Sequence, residues 1–288
     1  TKNLNPSKYP DGLLVPCLKC IACRIKKRKE WSTRVLHEIS TTDNKAMFIT
    51  LTYNEQYVPI GKYGWPSLRK NDLQKFFKRL RKSIQKTDIK IKYFACGEYG
   101  DETQRPHYHA IIIGIDLKDI KLIKDNWTLG FVSCGSADPE RIDYVTAYID
   151  KKLSGELADE EFGHKDREPV FRLMSNGLGK NYVQENEQQL LDNKSITVFG
   201  KMVSFPRYYI NELKLQNTDF NKEIAIANDI QNVYKLTGVK LTSDEYYKTQ
   251  KADDIKKLEE AKKRQYKQSE KNVNARLVMK KLRKKNKL

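Results

Sequence analysis

Arg105-Pro106-His107-Tyr108-His109-Ala110-Ile111-Ile112-Ile113-Gly114 has the composition of a buried strand, an apolar run opened by proline and closed by glycine. Side chains alternate along a strand, so His107 and His109 project from one face, about 7 Å apart along the chain. Two imidazoles placed in this way can chelate one divalent ion. Two unrelated histidines are the plainer reading of any His-x-His. Here the whole chain has four histidines, and two of them stand together at the start of the strand. Glu98 offers a third ligand, at the end of the preceding strand candidate (residues 89–98) in Cys96-Gly97-Glu98-Tyr99. Its carboxylate faces the imidazoles if the two strands are hairpin neighbours; otherwise it is a loop-edge charge. Two histidines and one carboxylate leave coordination positions open for substrate oxygens, as a Lewis-acid site requires.

Working outward, residues 47–53 (Met47-Phe48-Ile49-Thr50-Leu51-Thr52-Tyr53) are rich in strand-favouring side chains. A helix is expected to start near Ser67, with Leu68, Leu73, Phe76, Phe77, Leu80 and Ile84 on one apolar face. A weaker helix is expected over 117–125, a short strand over 130–133 and a basic helix over 24–39. The predicted fold class is α+β: a central, largely antiparallel sheet flanked by helices, with a helical, basic C-terminal extension. The expected organisation is a cysteine-containing basic segment (1–45), a core domain (46–160), a C-terminal subdomain (161–215) and a helical, Lys-rich tail (216–288).

The best-marked helix is predicted over 138–153. Asp138 suits the N-cap, Pro139 the first helical position, and Glu140 the positive end of the dipole. Tyr144, Tyr148 and Lys152 recur every four residues and form one stripe. Its centre is rotated about 110° from that of the apolar stripe Ile142, Val145, Ile149 and Leu153. The tyrosines therefore border the core side of the helix rather than extend it. They can be amphipathic edge residues with wet hydroxyls, or nucleophiles for a phosphodiester. A phenol titrates near 10, so attack at neutral pH needs a cation nearby. Lys152, one turn beyond Tyr148, can bring positive charge to the phosphate.

At this point the chain resembles a known family. His107-Tyr108-His109 with its apolar continuation is similar to the HUH motif of single-strand DNA endonucleases. Tyr148-x-x-x-Lys152 resembles their nucleophile motif, Tyr144 gives the paired-tyrosine form, and residues 47–54 resemble their first strand motif. The nearest resemblance is to the replication initiators of the Microviridae, the gokushovirus branch in particular. It extends to the cysteine-rich start, residues 16–31, and to Phe171-Arg172-x-Met174-Ser175 with Gly177 and Gly179. It covers residues 15 to 185 approximately and leaves the last hundred without a counterpart. The resemblance implies a sheet carrying His107 and His109 with the tyrosine stripe turned towards a Mg²⁺ or Mn²⁺ ion. It also implies rolling-circle initiation: one tyrosine nicks DNA to give a 5′-phosphotyrosine and a 3′-OH, and the second serves the closing transfer. The partners implied are single-stranded or origin DNA, with host replication helicase and polymerase.

Composition points the same way. Lys and Arg outnumber Asp and Glu by 55 to 37, a net charge of +18, which calls for a polyanionic partner. Arg24, Lys26, Lys27 and Arg28, and Lys78 and Arg81 on the second helix, are candidate DNA contacts, although any one basic run is more often a solvated face. No run approaches the ~20 apolar residues of a spanning helix, and Thr1-Lys2-Asn3-Leu4 lacks a signal pattern, so a cytoplasmic location is expected, that of the bacterial host if phage-encoded. Cys17, Cys20 and Cys23 have metal-ligand spacing, and Zn²⁺ there would need a fourth ligand from His37, Cys96 or Cys134; reduced, unliganded thiols are the alternative. Three rivals follow: a non-catalytic nucleic-acid-binding protein with a cysteine–metal module, an HUH relaxase or transposase, and a metallohydrolase using activated water.

Overall fold

The computed structural model describes residues 21–100, 102–147, 162, 166–193, 196–198, 201–203 and 205–214, with Ile230, Thr242 and Glu245. The chain divides into two compact units, Ile25–Asn186 and Thr1–Arg24 together with Glu187–Leu288. The first is built on an antiparallel sheet of five strands: β1 (Ala46–Tyr53), β2 (Lys92–Tyr99), β3 (Pro106–Ile113), β4 (Gly130–Ser136) and β5 (Phe171–Met174). Their spatial order is β4-β1-β3-β2-β5, so the histidine strand lies at the centre. The α+β class with an antiparallel sheet is as the sequence led us to expect.

One face of the sheet carries α2 (Lys70–Ser83) and α3 (Ile120–Asn126). Met47, Ile49 and Leu51 of β1 and Tyr108, Ala110 and Ile112 of β3 meet Leu73, Phe76, Phe77 and Leu80 of α2 there, all at most 1% exposed. The alternation that buries these residues turns their neighbours to the opposite face. There Phe94, Cys96, Ile111 and Ile113 pack against Val35 and Ile39 of α1 (Ile21–Ser40) and Ile142 and Val145 of α4 (Pro139–Thr146). The second unit is described over helices Glu187–Asn193 and Arg207–Glu212 and the hairpin of Ile196–Val198 with Lys201–Val203; Leu190, Ile196, Phe205 and Tyr209 are buried.

Element boundaries differ from the sequence reading for identifiable reasons. The helix expected to start near Ser67 begins at Lys70. The N–H groups of Leu68 and Arg69 donate instead to the hydroxyls of Tyr99 and Tyr108, both at 2.9 Å, and Arg69 is extended. Tyr108 also lies 2.6 Å from the Tyr53 hydroxyl, which donates to Asp72 in the first turn of α2. The middle residue of the His-x-His motif thus anchors β3 to α2. The strand expected over 89–98 starts at Lys92, the partner of Ile113. Immediately beyond, Gly114 turns with φ +98°, where a Cβ would stand 2.1 Å from the Lys90 carbonyl oxygen, so pairing cannot continue. The strand expected over 130–133 runs on to Ser136 along β1. The helix predicted over 138–153 is described over Pro139–Thr146, with Ala147 in a turn and the remainder outside the described residues.

Two tests follow. The Phe77 ring is stacked on Tyr93 with centroids 3.5 Å apart, 1% exposed. Phe77→Ala is expected to cost roughly 3–5 kcal/mol in chemical denaturation; a loss below about 1 kcal/mol would show that this face is not the core. His37 on α1 is stacked on Tyr182, and burial pushes its imidazole down to about 4. The unfolded chain takes up this proton first, near the ordinary value of 6.5. The contribution of His37 is therefore complete above that pH and is lost progressively as pH falls towards 4. The urea midpoint should drop through this window, and the drop should shrink in His37→Phe, which keeps the ring contact. An equal drop in both proteins would exclude His37 as the cause.

Candidate functional site

Strand register assembles the site. In the β2–β3 hairpin Glu98 pairs with His107 and Cys96 with His109, so the Glu98 carboxylate and both imidazoles share one face. The hairpin relationship on which the Glu98 assignment depends is therefore present. Oε1 of Glu98 lies 2.8 Å from Nε2 of His109, and the two side chains are 9% and 8% exposed. The other ring nitrogen, Nδ1, is 2.9 Å from Oγ1 of Thr50, which stands opposite His109 on β1. The imidazole of His109 is thus held at both nitrogens. The His107 and His109 ring centroids are 6.0 Å apart. Burial first, and the neighbouring His109 second, lower the pKa of His107, which favours the neutral ring that a metal ligand needs. Gly100, in the turn before β3, lets the backbone pass close: a Cβ there would sit 3.0 Å from Cε1 of His107.

α4 brings Tyr144 to the same face. Asp138 caps the helix by accepting from the Arg141 N–H at 2.8 Å, with Pro139 in the first turn, as its sequence foretold. Ile142 and Val145 are fully buried against the sheet, and Asp143 accepts from Ser32 of α1 at 2.7 Å. That seating leaves Tyr144 45% exposed at the edge of the apolar stripe. Its hydroxyl donates to Oε1 of Glu98 at 2.9 Å, and its ring lies 5.3 Å from that of His109. A solvent-accessible phenol, a buried carboxylate and two imidazoles are thereby collected in one place.

Among the described residues, no three His, Cys, Asp or Glu side chains form a ready metal-holding group. His109 and Glu98 are hydrogen-bonded to each other. The donor chemistry nevertheless fits a divalent ion. Two ligands bound at right angles at about 2.1 Å stand about 3 Å apart, and Nε2 and Oε1 are 2.8 Å apart. An ion would replace the shared proton, and His107 would have to turn towards it. With Nε2 on a metal, Nδ1 must carry the proton, and the Thr50 hydroxyl can change from donor to acceptor to receive it. Sequence reasoning misses Thr50, because nothing in Thr50-Leu51-Thr52 announces which strand β1 pairs with.

The other sequence-predicted residues are distributed differently. Tyr148, Lys152, Cys17 and Cys20 lie outside the described residues. Cys23 stands half-buried on α1. Of its suggested partners, Cys96 and Cys134 belong to clusters on opposite faces of the sheet, and His37 is stacked on Tyr182. Arg24, Lys26, Lys27 and Arg28 are on α1, Lys26 exposed. Lys78 and Arg81 are exposed on α2, on the face away from the histidines, and Arg81 lies over the Tyr93 ring. The structure does not bring these two to the candidate site.

No solved structure matches this chain significantly. It is 28% identical over 225 residues to the replication-associated protein ORF2 of Spiroplasma virus 4, covering 71% of this chain and 69% of the relative. It is 29% identical over 226 residues to the replication-associated protein VP4 of Bdellovibrio phage phiMH2K, covering 70% and 68%. With the replication-associated protein ORF4 of Chlamydia phage 1 it shares 28% identity over 233 residues, covering 73% and 56%. The model of the replication-associated protein family of the ORF2 type matches residues 46–153, the stretch that runs from β1 through β3 and α4. The chain is thus a member of the replication-associated protein family of the Microviridae, with its ORF2-type domain built around the histidine strand.

Proposed function

We propose that this chain is a rolling-circle replication initiator that nicks single-stranded or origin DNA through a tyrosine and later rejoins it. The observation that carries this reading is the Tyr144 hydroxyl, exposed yet hydrogen-bonded to Glu98 on the imidazole side of the sheet. Tyrosines that served only as core edge would have no reason to meet a buried carboxylate beside a histidine pair. The names of the relatives and the net charge of +18 support a DNA substrate.

In this mechanism the phenolic oxygen attacks phosphorus, forming a P–O bond to the protein. The bond from phosphorus to the 3′ oxygen breaks, and that oxygen takes a proton and departs as a 3′-OH able to prime synthesis. The phenol proton leaves along its hydrogen bond to Oε1 of Glu98. The product is a 5′-phosphotyrosine, whose energy is retained for rejoining by attack of a 3′-OH. Tyr148, one turn further in the sequence, would serve the second transfer, with Lys152 as a cation for the phosphate. His107, His109 and Glu98 would hold Mg²⁺ or Mn²⁺, which supplies Lewis acidity at the phosphate oxygens. Thr50 fixes the ring of His109. Zn²⁺ at Cys17, Cys20 and Cys23 is a separate, structural proposal, and host helicase and polymerase are the partners the activity would require.

Incubation of single-stranded oligonucleotide with the protein and Mn²⁺ is expected to yield a protein–DNA adduct that survives denaturant. Tyr144→Phe with Tyr148→Phe should abolish it and leave DNA binding nearly intact; cleavage surviving the double change would favour activated water over tyrosine. In calorimetric titration with Mn²⁺, His107→Ala or His109→Ala should abolish measurable binding. Thr50→Val should weaken it by about 10–100-fold. Unaltered Mn²⁺ affinity in the histidine variants would remove the pair from the ligand set.

A further inference from the structure

Phe171-Arg172-x-Met174-Ser175 has so far been given no chemical role. As β5 it closes the sheet beside β2, where Arg172 pairs with Cys96 and Leu173 with Ala95. Phe171 and Leu173 join the cluster under α2, and Met174 joins the one under α1 and α4. By alternation Arg172 projects from the same face as Met174, Cys96 and His109. Cys96 pairs with both His109 and Arg172, so the three form one row across the sheet. Glu98, two residues along β2, is the diagonal neighbour of Arg172, with Cβ atoms about 7–8 Å apart.

Arg172 is half-buried, yet it has no hydrogen-bond or ion-pair partner among the described residues. The other arginines packed into this unit are engaged. Arg34 donates to the Leu178 carbonyl, Arg79 to that of Asn126, and Arg167 to those of Pro66 and Gln104. Removing a guanidinium from water without a counter-charge is costly, and here burial depresses even its pKa. A planar, permanently charged fork kept without a protein partner beside a phosphodiester-cleaving centre matches the bidentate geometry of phosphate oxygens.

We propose that Arg172 is a phosphate-binding residue for the DNA strand, holding the non-bridging oxygens of a phosphodiester within one nucleotide of the bond that Tyr144 attacks. The assignment rests on the reading of the histidine face as a DNA-cleaving site and adds a positioning contact to it. It gives the β5 motif a purpose that sheet closure alone does not require, since any apolar residue would pair with β2 at lower cost.

The test is binding of a fluorescein-labelled oligothymidylate to the full chain, without added metal, over a range of salt concentrations. Arg172→Met, which keeps the apolar stem, is expected to weaken binding roughly tenfold or more and to lower the salt slope by about one phosphate. Arg172→Lys should keep the slope but not the full affinity. With the DNA-free protein, Arg172→Met should melt no lower than wild type, because an uncompensated charge has been removed. An oligonucleotide carrying one uncharged methylphosphonate next to the cleaved bond should bind wild type and Arg172→Met alike. Unchanged affinity and slope in Arg172→Met, or a lowered melting temperature, would overturn the proposal and leave Arg172 a structural residue. Because these readouts need no cleavage, they separate from the nicking reading. An adduct formed normally alongside unaltered binding sinks Arg172 alone, and weakened binding without any adduct sinks the tyrosine chemistry alone.

Discussion

The pairing of Glu98 with His107 across the β2–β3 hairpin is the constraint on which the site depends. It places a carboxylate and two imidazoles on one face at the middle of a five-stranded sheet, where the backbone is held on both sides. A slip of one residue in this register would send the Glu98 carboxylate to the α2 face. Two features guard against it. Tyr108, between the histidines, is pinned on the far face by Tyr53 and the start of α2. At the other end of the strand, Gly114 turns against Lys90 and ends the ladder.

The two faces of the sheet have different duties. The α2 face is sealed by aliphatic and aromatic side chains and supplies most of the core. The α1 and α4 face is apolar towards Ile111 and Ile113 and polar towards His107, where β3 begins. Catalytic groups thus emerge from a rigid strand, and the nucleophile rides on a short capped helix. Loss of stability at the α2 face and loss of chemistry at the histidine face are separable for this reason.

Polar groups at the site are linked in a chain rather than scattered: Thr50 to His109, His109 to Glu98, and Glu98 to Tyr144. Each member orients the next, so the tautomer of His109 and the direction of the phenol are set together. Burial of Glu98 and His109 with partial exposure of Tyr144 is the combination that a group-transfer site on a long polymer needs. The reactive atom must meet a strand too large to be enclosed, and its supports must be shielded from water.

The local elements were legible because they rest on local physics. Alternation in residues 105–114 disclosed the strand, Asp138-Pro139 the start of α4, and the spacing of Leu73, Phe76, Phe77 and Leu80 the buried side of α2. Tyr144 was recognisable as a border residue from helical period alone. The sequence could not say which strands pair, because register is fixed by side chains far apart in the chain. Hence Thr50, contributed by β1 from 59 residues away, was invisible as the partner of His109. For the same reason, the placing of Lys78 and Arg81 behind the sheet, and the row that joins Arg172 to His109, were decided only when the strands came together. Residue type and spacing determined what each segment can do, and tertiary packing determined which of those abilities meet.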